Sequence, residues 1–309
     1  MDGAAIRYLI FIGCFLAIVP IIRFFVLPPL LRILIGVNPI DGEALGWRER
    51  VELRYQQMDL FVWLFAWFKL RLDPMFAELP EFLRGLPEIR TALDLGCGYG
   101  FVGSSLLEWN AGLKIYGVDP NPKRVQAAAI AFGECGEAFC AGAPDFVMPG
   151  FPERFDAVFC LDVIHFLPDE ALALTLGRIR ERLDDGGILV LRAPMLAEGV
   201  GSVSWNIDRI RRGLTGAYAC YRTGEQVSDA IANAGFTISQ SPISGTSSEL
   251  RWFIGVASAA ALVRTIPNTN QLRAASVRSA ATKLDEKRCL LDTVKVSELS
   301  PTQGEQRHE

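Results

Sequence analysis

The fold of this chain is decided by one stretch, Leu93-Asp94-Leu95-Gly96-Cys97-Gly98-Tyr99-Gly100. It opens after Thr91-Ala92 with the pattern of a buried strand, and three glycines then follow at alternate positions. The residues from Phe101 to Trp109 have the pattern of the first turns of a helix. A strand, a glycine turn and a helix in this order present backbone N–H groups to a ligand at a helix N-terminus. The stretch therefore predicts the ligand-binding edge of an α/β sheet.

The composition limits the classes of function that the chain can have. Its 309 residues suffice for one large domain or two small ones, and half of them are apolar. A formal net charge of −4 gives no electrostatic reason to expect a nucleic-acid partner. Two histidines exclude a multi-histidine metal site, and we expect no metal. Seven cysteines without a C-x-x-C motif indicate free thiols in a reducing compartment rather than a disulfide framework.

The N-terminal residues 1–37 form a hydrophobic segment that we expect to enter a membrane. Tyr8 to Leu27 is apolar except for Arg23 and is long enough to cross a bilayer, which takes about 20 residues. A transmembrane span and a re-entrant hairpin both fit this run, and a helix buried against the rest of the protein is the alternative. Arginines are more frequent after the run than before it, which favours a cytoplasmic location for the remainder of the chain. These arginines are Arg32, Arg48, Arg50 and Arg54, against Arg7.

Residues 38–90 are predicted to be an amphipathic helical linker at the membrane interface. The run from Met58 to Phe76 is dense in aromatic residues and carries Lys69 and Arg71 near its end. That pattern suits a helix lying in the interface, and it equally suits a helix that covers the following domain. Prolines recur from Pro74 onward, so we place the domain boundary between residues 75 and 90.

Strand and helix patterns alternate through residues 91–258. This alternation predicts an α/β fold with a Rossmann-like, seven-stranded, mostly parallel sheet and helices on both faces. The predicted strands are 92–95, 114–118, 138–140, 155–161, 188–192, 236–240 and 251–257, and the clearest helices are 122–132, 169–183 and 223–234.

Two kinds of nucleotide site compete for the glycine turn. The spacing Gly98-x-Gly100-x-x-Gly103 fits the dinucleotide fingerprint, which is a weak signal when it stands alone. Asp94 lies inside the end of the first strand, where its carboxylate would repel a pyrophosphate and attract a cationic amino-acid group. The position of this acid favours a cofactor that carries an amino acid.

Residues 91–258 resemble the class I S-adenosylmethionine-dependent methyltransferases. The stretch from Leu93 to Gly100 is similar to the family's first motif, and Gly117-Val118-Asp119-Pro120 to its second. The run from Phe155 to Pro168 is similar to the strand-4 motif, and Leu183 to Val190 to the glycine turn into strand 5. Four motifs in the family's order make the match specific, and the small-molecule branch is the more similar one.

The resemblance implies S-adenosyl-L-methionine as cofactor and a set of residues that bind it. Asp94 would lie near the amino group of the cofactor and Asp119 would hold the ribose hydroxyls. The family's acid after strand 3 is replaced by Gly142, so either Asp145 substitutes for the adenine contact or the backbone alone contacts adenine. The cofactor-binding residues implied in this way are Asp94, Gly96, Cys97, Gly98, Gly100, Asp119, Pro120, Asp145 and Asp162.

The remaining expectations concern catalysis and the acceptor. His165 is the candidate general base, and a structural histidine in the turn after strand 4 is the alternative. Residues 193–221 are the expected substrate lid, and a solvated basic helix from Ile207 to Leu214 that touches anionic lipid headgroups is the equal alternative. Residues 259–309 are expected to be a polar, partly disordered tail. Cys97 is interpreted as a packing residue rather than a nucleophile.

Taken together, the sequence predicts a membrane-associated methyltransferase with its catalytic domain on the cytoplasmic side. The membrane segments indicate a small, apolar or lipid-like acceptor. Two other functions stay open at this point. One is an NAD-linked oxidoreductase that uses Gly98, Gly100 and Gly103, and the other is a non-catalytic membrane scaffold with the same fold.

Overall fold

The computed structural model describes residues 45–196, 219–246 and 249–258. The predicted membrane segment 1–37, the tail 259–309 and most of the predicted lid 193–221 lie outside these residues. Within the part described, no helix is both long enough and apolar enough to pass through a bilayer.

The described residues form an α/β domain preceded by three helices. Helices α1 to α7 span Trp47–Leu53, Leu60–Leu72, Met75–Leu83, Phe101–Trp109, Pro122–Phe132, Asp169–Glu181 and Gly224–Asn233. Strands β1 to β7 span Thr91–Leu95, Lys114–Asp119, Gly136–Cys140, Phe155–Leu161, Leu183–Pro194, Phe236–Gln240 and Leu250–Ala257.

The seven described strands form one sheet in the order β3-β2-β1-β4-β5-β7-β6. Strands β1 to β5 pair in parallel, whereas β7 lies antiparallel between β5 and β6. Alternate residues face opposite sides of the sheet, so Ala92 and Ile115 enter one core cluster while Leu93 and Val118 enter the other. Helices therefore cover both faces, and the predicted Rossmann-like architecture is confirmed.

Helix α5 shows why several boundaries follow from the sequence. The side chain of Asn121 accepts hydrogen bonds from the backbone N–H groups of Lys123 and Arg124, and Pro122 occupies the first helical turn. The helix ends at Gly133, which has a φ of +59°. These capping residues fix the helix at 122–132, as predicted.

Strand β5 is longer than the predicted 188–192. Phe155 of β4 pairs with Leu183, and Ala157 pairs with Ile188, so extra residues of β5 bulge between these two pairs. Gly186 within the bulge has a φ of +83°. The Asp-Asp-Gly-Gly sequence that predicted a turn before the strand instead forms an irregularity inside it, because β4 holds both sides of it.

The aromatic run from Met58 to Phe76 does not form one helix. It divides into α2 and α3 at Asp73-Pro74, since the Asp73 backbone is extended before the proline. Trp63, Phe76 and Tyr55 are fully or almost fully buried in the core cluster that also contains the sheet residue Ile115. Residues 45–83 are thus part of the domain core as well as a connection to the preceding segment.

Glu78 of α3 attaches these helices to the far side of the sheet. Its carboxylate accepts hydrogen bonds from the Ser244 hydroxyl (2.7 Å), the Gly245 backbone N–H (2.6 Å) and the Trp252 indole N–H (2.7 Å). All three donors belong to the segment around β7. A single acid therefore joins elements that are far apart in the sequence.

We expect Glu78→Gln to lower the free energy of unfolding by about 1.5–3 kcal/mol, because the amide weakens hydrogen bonds to a charged acceptor. Glu81→Gln is the matched control on the same helix. Glu81 is exposed and pairs only with the exposed Arg84 in the described part of the chain, so its effect should stay within about 0.5 kcal/mol. Denaturant unfolding measures both variants, and equal losses would contradict the role assigned to Glu78.

Candidate functional site

The candidate site lies at the carboxyl edge of the sheet, where the strand order reverses. Strand β1 pairs in parallel with β2 on one side and with β4 on the other. Open α/β sheets bind ligands at such a switch point. Three acids that the sequence singled out, Asp94, Asp119 and Asp162, come from the ends of these three strands. The topology therefore brings together residues that were predicted from separate motifs.

The glycine turn between β1 and α4 has one side packed and one side open. Gly96 has a φ of +80°, and a Cβ added there would lie 2.2 Å from Cγ2 of Val163. A Cβ added to Gly98 would meet no atom within 4 Å. The backbone at Gly98 is therefore accessible to a ligand, and a larger residue at Gly96 would collide with the strand-4 turn. This open cradle fits the methionine part of S-adenosylmethionine, which needs close approach to the backbone.

Backbone N–H groups of the turn are engaged within the protein. Those of Gly96 and Cys97 both donate to the Val118 carbonyl, at 2.7 and 2.9 Å. The N–H of Gly98 donates to Oδ2 of Asp119 at 3.1 Å. The N–H of Gly103, the third glycine of the dinucleotide fingerprint, donates to Oδ2 of Asp94 at 3.3 Å. A pyrophosphate requires such donors to be free and repels carboxylates, so this geometry disfavours a dinucleotide.

Asp119 is held in a fixed orientation at the end of β2. Its Oδ1 accepts the backbone N–H of Asn121 at 2.9 Å, and its Oδ2 accepts that of Gly98. The guanidinium of Arg124 lies 3.9 Å away. A carboxylate has about four acceptor positions, so capacity remains for two hydroxyl donors. This arrangement fits the predicted ribose contact.

Asp94 is buried beneath the glycine turn. Burial raises the pKa of its carboxyl group to about 7; the nearby charge of Asp119 adds to the rise, and the hydrogen bond from Gly103 opposes it. A cationic ligand group placed near Asp94 would favour the carboxylate form. A bound amino group would therefore lower the pKa of Asp94 from this raised value.

Asp162 and His165 occupy the turn after β4. Asp162 has a φ of +59°, and its carboxylate is paired with Arg192 of β5. His165 is buried in the short 3-10 helix Ile164–Phe166, and its ring centroid lies 3.9 Å from that of Phe166 and 6.3 Å from that of Tyr221. This packing suits the structural role, and the catalytic role of His165 stays a prediction.

The structure places the other predicted residues as follows. Burial raises the pKa of the Cys97 thiol well above its usual range, and the sulfur packs beneath Gly117, which fits a packing role. Pro120 faces Gly142, whose missing side chain leaves space beside the turn. Asp145 forms an ion pair with Arg178 of α6. The Asp145 side chain is half exposed beside this pair, and its adenine contact stays a prediction.

Two contributors to the site were not found from the sequence. Tyr55, which follows α1, places its hydroxyl 3.1 Å from the Tyr99 carbonyl and 3.1 Å from Oγ of Ser104, so it fixes the glycine turn from below. No local pattern marks a tyrosine so far from the turn. Arg192 is the second contributor. The sequence shows it as a charged residue in an apolar strand, and an arginine that is buried in such a position implies acidic partners.

The first prediction for the site tests the Asp119 contact. Asp119→Asn should weaken binding of S-adenosylhomocysteine about tenfold to a hundredfold, because a hydrogen bond to a charged acceptor is worth ~1.5–3 kcal/mol. Asp156→Asn is the matched control, since Asp156 accepts the N–H groups of Arg90 and Thr91 at the opposite edge of the sheet. Calorimetry measures both variants, and unchanged affinity for Asp119→Asn would remove the cofactor assignment.

The second prediction for the site concerns proton linkage at Asp94. The raised pKa means that the ligand-free protein loses stability as the pH rises from the ordinary value of 3.8 to about 7. Binding of S-adenosylhomocysteine should tighten about tenfold between about pH 6 and about pH 8, because the carboxylate attracts the ligand's ammonium group. Calorimetry in buffers of different ionisation enthalpy should detect proton release near neutral pH. If Asp94→Asn has the same pH profile as the wild type, the linkage does not reside in Asp94.

The amino-acid sequence of this chain is similar to a known protein family and to several curated proteins. Residues 93–189 match the family described as a methyltransferase domain. The N-terminal Xaa-Pro-Lys N-methyltransferase 1 of Homo sapiens is 32% identical over 151 residues, which cover 43% of this chain and 65% of the relative. The protein of the same name from Bos taurus is 33% identical over 117 residues, covering 35% of this chain and 49% of the relative. The chain thus spans less than two thirds of these relatives.

A solved structure gives the same fold. The S-adenosylmethionine-dependent methyltransferase SibL in its apo form superposes with a TM-score of 0.51 at 16% identity, covering 64% of this chain and 57% of that protein. This likeness concerns the fold alone. The family match covers the stretch from Leu93 through the glycine turn of β5, and the acids of the site lie at the predicted edge. Residues 93–189 therefore match a methyltransferase domain, and the fold around them is that of an S-adenosylmethionine-dependent methyltransferase.

Proposed function

We propose that the protein transfers a methyl group from S-adenosyl-L-methionine to a small apolar or lipid-like acceptor, at a membrane and on its cytoplasmic side. The observation that carries this proposal is an apolar face on α2, whose opposite face is buried in the core. The exposed side chains of this face are Phe61 (60%), Phe65 (39%), Phe68 (49%) and Leu72 (73%). Their spacing places them along one side of the helix.

The apolar face of α2 continues into the glycine turn. The Phe65 ring lies 6.0 Å from that of Tyr99 and 5.4 Å from that of Phe101, centroid to centroid. Phe61 stacks on Phe65 at 5.9 Å. Because Tyr99 belongs to the turn that faces the cofactor, an acceptor with a ring or an apolar tail would find a continuous surface leading to the site.

The same face supports membrane association. Burying these partly exposed side chains in lipid would contribute roughly 3–6 kcal/mol, which gives weak and reversible attachment by itself. Stable attachment to a membrane takes two signals. The apolar run from Tyr8 to Leu27 would supply the second, and the arginines that follow it favour a cytoplasmic catalytic domain.

The chemistry requires positioning more than acid–base catalysis. Methyl transfer from a sulfonium is an in-line displacement in which the leaving thioether needs no proton, so holding both reactants in line supplies most of the acceleration. Asp119 would hold the ribose end of the cofactor, and the turn at Gly98 its methionine end. An acceptor hydroxyl or carbon acid would also need a base, for which His165 is the candidate.

A second candidate acceptor is the α-amino group of a polypeptide. The observation that favours it is the 32% identity to proteins named N-terminal Xaa-Pro-Lys N-methyltransferase 1. An amine that is free of its proton attacks without further deprotonation, so this acceptor would leave His165 without a role as base. The apolar face of α2 gives it no evident support.

The two other functions suggested by the sequence have less support. An NAD-linked oxidoreductase would need the backbone donors that Val118, Asp119 and Asp94 already occupy. A scaffold without activity would have no reason to retain an oriented carboxylate at Asp119. The replacement of an acid by Gly142 is the observation in favour of the scaffold.

The test uses the detergent-solubilised full chain with methyl-labelled S-adenosylmethionine. One sample contains an organic extract of membranes, and the other contains a peptide that begins Ser-Pro-Lys. We expect label in the organic phase. Phe68→Ser should lower this labelling about fivefold, since it removes roughly 1 kcal/mol of apolar contact, with unchanged affinity for S-adenosylhomocysteine. Ile130→Ser is the control, because Ile130 is 59% exposed on α5.

The outcomes separate the functions. Label in the peptide alone would replace the apolar acceptor by the polypeptide amine. Binding of S-adenosylhomocysteine without label in either sample would support the scaffold. Equal loss in Phe68→Ser and Ile130→Ser would contradict the role of the α2 face.

A further inference from the structure

A buried arginine joins the N-terminal helices to the candidate site. Arg192, near the end of β5, has a side chain that is 2% exposed. Its Nη1 and Nη2 donate to Oδ1 and Oδ2 of Asp73, at 2.6 and 2.9 Å. Its Nε donates to Oδ1 of Asp162 at 3.0 Å, and Nη2 also contacts the second oxygen of that carboxylate. One guanidinium thus bridges two carboxylates.

The charge states within this group follow from the contacts. Burial alone would lower the pKa of Arg192, but the charge of Asp162 and the hydrogen bonds to Asp73 and Asp162 outweigh it and raise the pKa above its usual range. Burial would raise the pKa of Asp73, but the hydrogen bonds and charges of Arg192 and then of Lys69 outweigh it and hold the pKa below its usual range. Arg192 and Asp73 therefore stay charged near neutral pH, and bidentate pairing fixes the geometry of the group.

The Asp162 end of this group lies against the cofactor turn. The N–H of Asp162 donates to the Arg192 carbonyl at 2.8 Å, and its φ of +59° is uncommon for a residue other than glycine. The next residue, Val163, fills the space beside Gly96. The Asp162 side chain is 30% exposed although it is paired with Arg192. Its position is therefore set at the part of the turn that fits the methionine end of the cofactor.

The Asp73 end comes from a different part of the chain. Asp73 lies between α2 and α3, and it is separated from Arg192 by 119 residues. Arg192 also lies over the Trp252 ring at 5.5 Å, so its guanidinium plane is supported from the β7 side. Asp73 accepts one N–H from each of Nη1 and Nη2, which leaves the Nε–H and the second Nη2 hydrogen for Asp162, while Nη1 also lies 3.4 Å from Oγ of Ser244. Its contact therefore selects the edge of Arg192 that faces the site.

We propose that Arg192 is a positioning residue, oriented by Asp73, that holds the Asp162 carboxylate at the amino-acid end of the cofactor site. This proposal rests on the proposed function, because it concerns S-adenosylmethionine as the ligand. A purely structural ion pair would attach α2 and α3 to the sheet and have no preference for one part of the ligand. A positioning role acts only on the end of the ligand that Asp162 faces.

The experiment compares two ligands by calorimetry in the full chain. S-adenosylhomocysteine carries the amino-acid part, and 5′-methylthioadenosine lacks it. Asp73→Asn keeps one acceptor for Arg192 and the size of the side chain, so the fold should persist. We expect Asp73→Asn and Asp162→Asn each to weaken S-adenosylhomocysteine about tenfold, the loss of roughly one charged hydrogen bond. The affinity for 5′-methylthioadenosine should stay within about twofold in both.

The double variant tests whether Asp73 acts through Asp162. In the Asp162→Asn background, Asp73→Asn should cause no further loss, whereas independent effects would multiply to about a hundredfold. Glu108→Gln is the control, because Glu108 pairs with Arg50 and Arg54 and so attaches the N-terminal helices to α4 without contacting Arg192 in the described structure. It should lower stability and leave the ratio of the two affinities unchanged.

Three outcomes of this experiment would contradict the positioning role of Arg192. Equal weakening of both ligands, multiplicative losses in the double variant, or unchanged binding of S-adenosylhomocysteine in Asp73→Asn would each overturn the positioning role. Those results would leave the proposed function standing, because the wild type would still bind both ligands. A wild-type protein that binds neither ligand would remove the proposed function, and this proposal with it.

Discussion

The parallel pairing of β1 with two neighbours is the constraint on which the rest of the structure depends. Because β2 and β4 both run parallel to β1, their carboxyl ends meet at one edge, and each strand ends near an acid. The chain then uses its own backbone donors to orient these acids, as in the bond from Gly98 to Asp119. The result is a turn that presents open backbone and fixed carboxylates rather than free N–H groups. This arrangement of negative charges favours a cationic ligand that carries an amino acid over a pyrophosphate.

Charged side chains inside the core are the second organising feature. Arg192 would be costly to bury without partners, so the fold depends on Asp73 and Asp162 for its compensation. Glu78 similarly depends on donors around β7. Both acids from the N-terminal helices reach across to the sheet. Such pairings give less stability than apolar packing of the same volume, but each requires its partners to be present in one arrangement.

The sequence predicted the elements better than it predicted their contacts. Helix 122–132 and strand 155–161 were predicted to the residue, because an asparagine cap, a proline, a glycine and uninterrupted apolar residues are local signals. The length of β5 was missed, since its bulge depends on the pairing with β4. Within the site, the glycine turn and Asp119 could be predicted from motifs. The pairing of Asp145 with Arg178 could not, because a sequence gives no distance between residues of different elements.

The position of Asp73 shows that the region matching the family and the packed structural domain have different N-terminal boundaries. The match to the methyltransferase-domain family begins at Leu93, yet the packed structure reaches back at least to the helices that supply Asp73 and Tyr55. A fragment cut at the start of the similarity would leave Arg192 with one of its two carboxylates and the glycine turn without its supporting hydroxyl. In this protein, the region that matches the family is therefore smaller than the part that packs together, and a substitution in the N-terminal helices can reach the site through Asp73 or Tyr55.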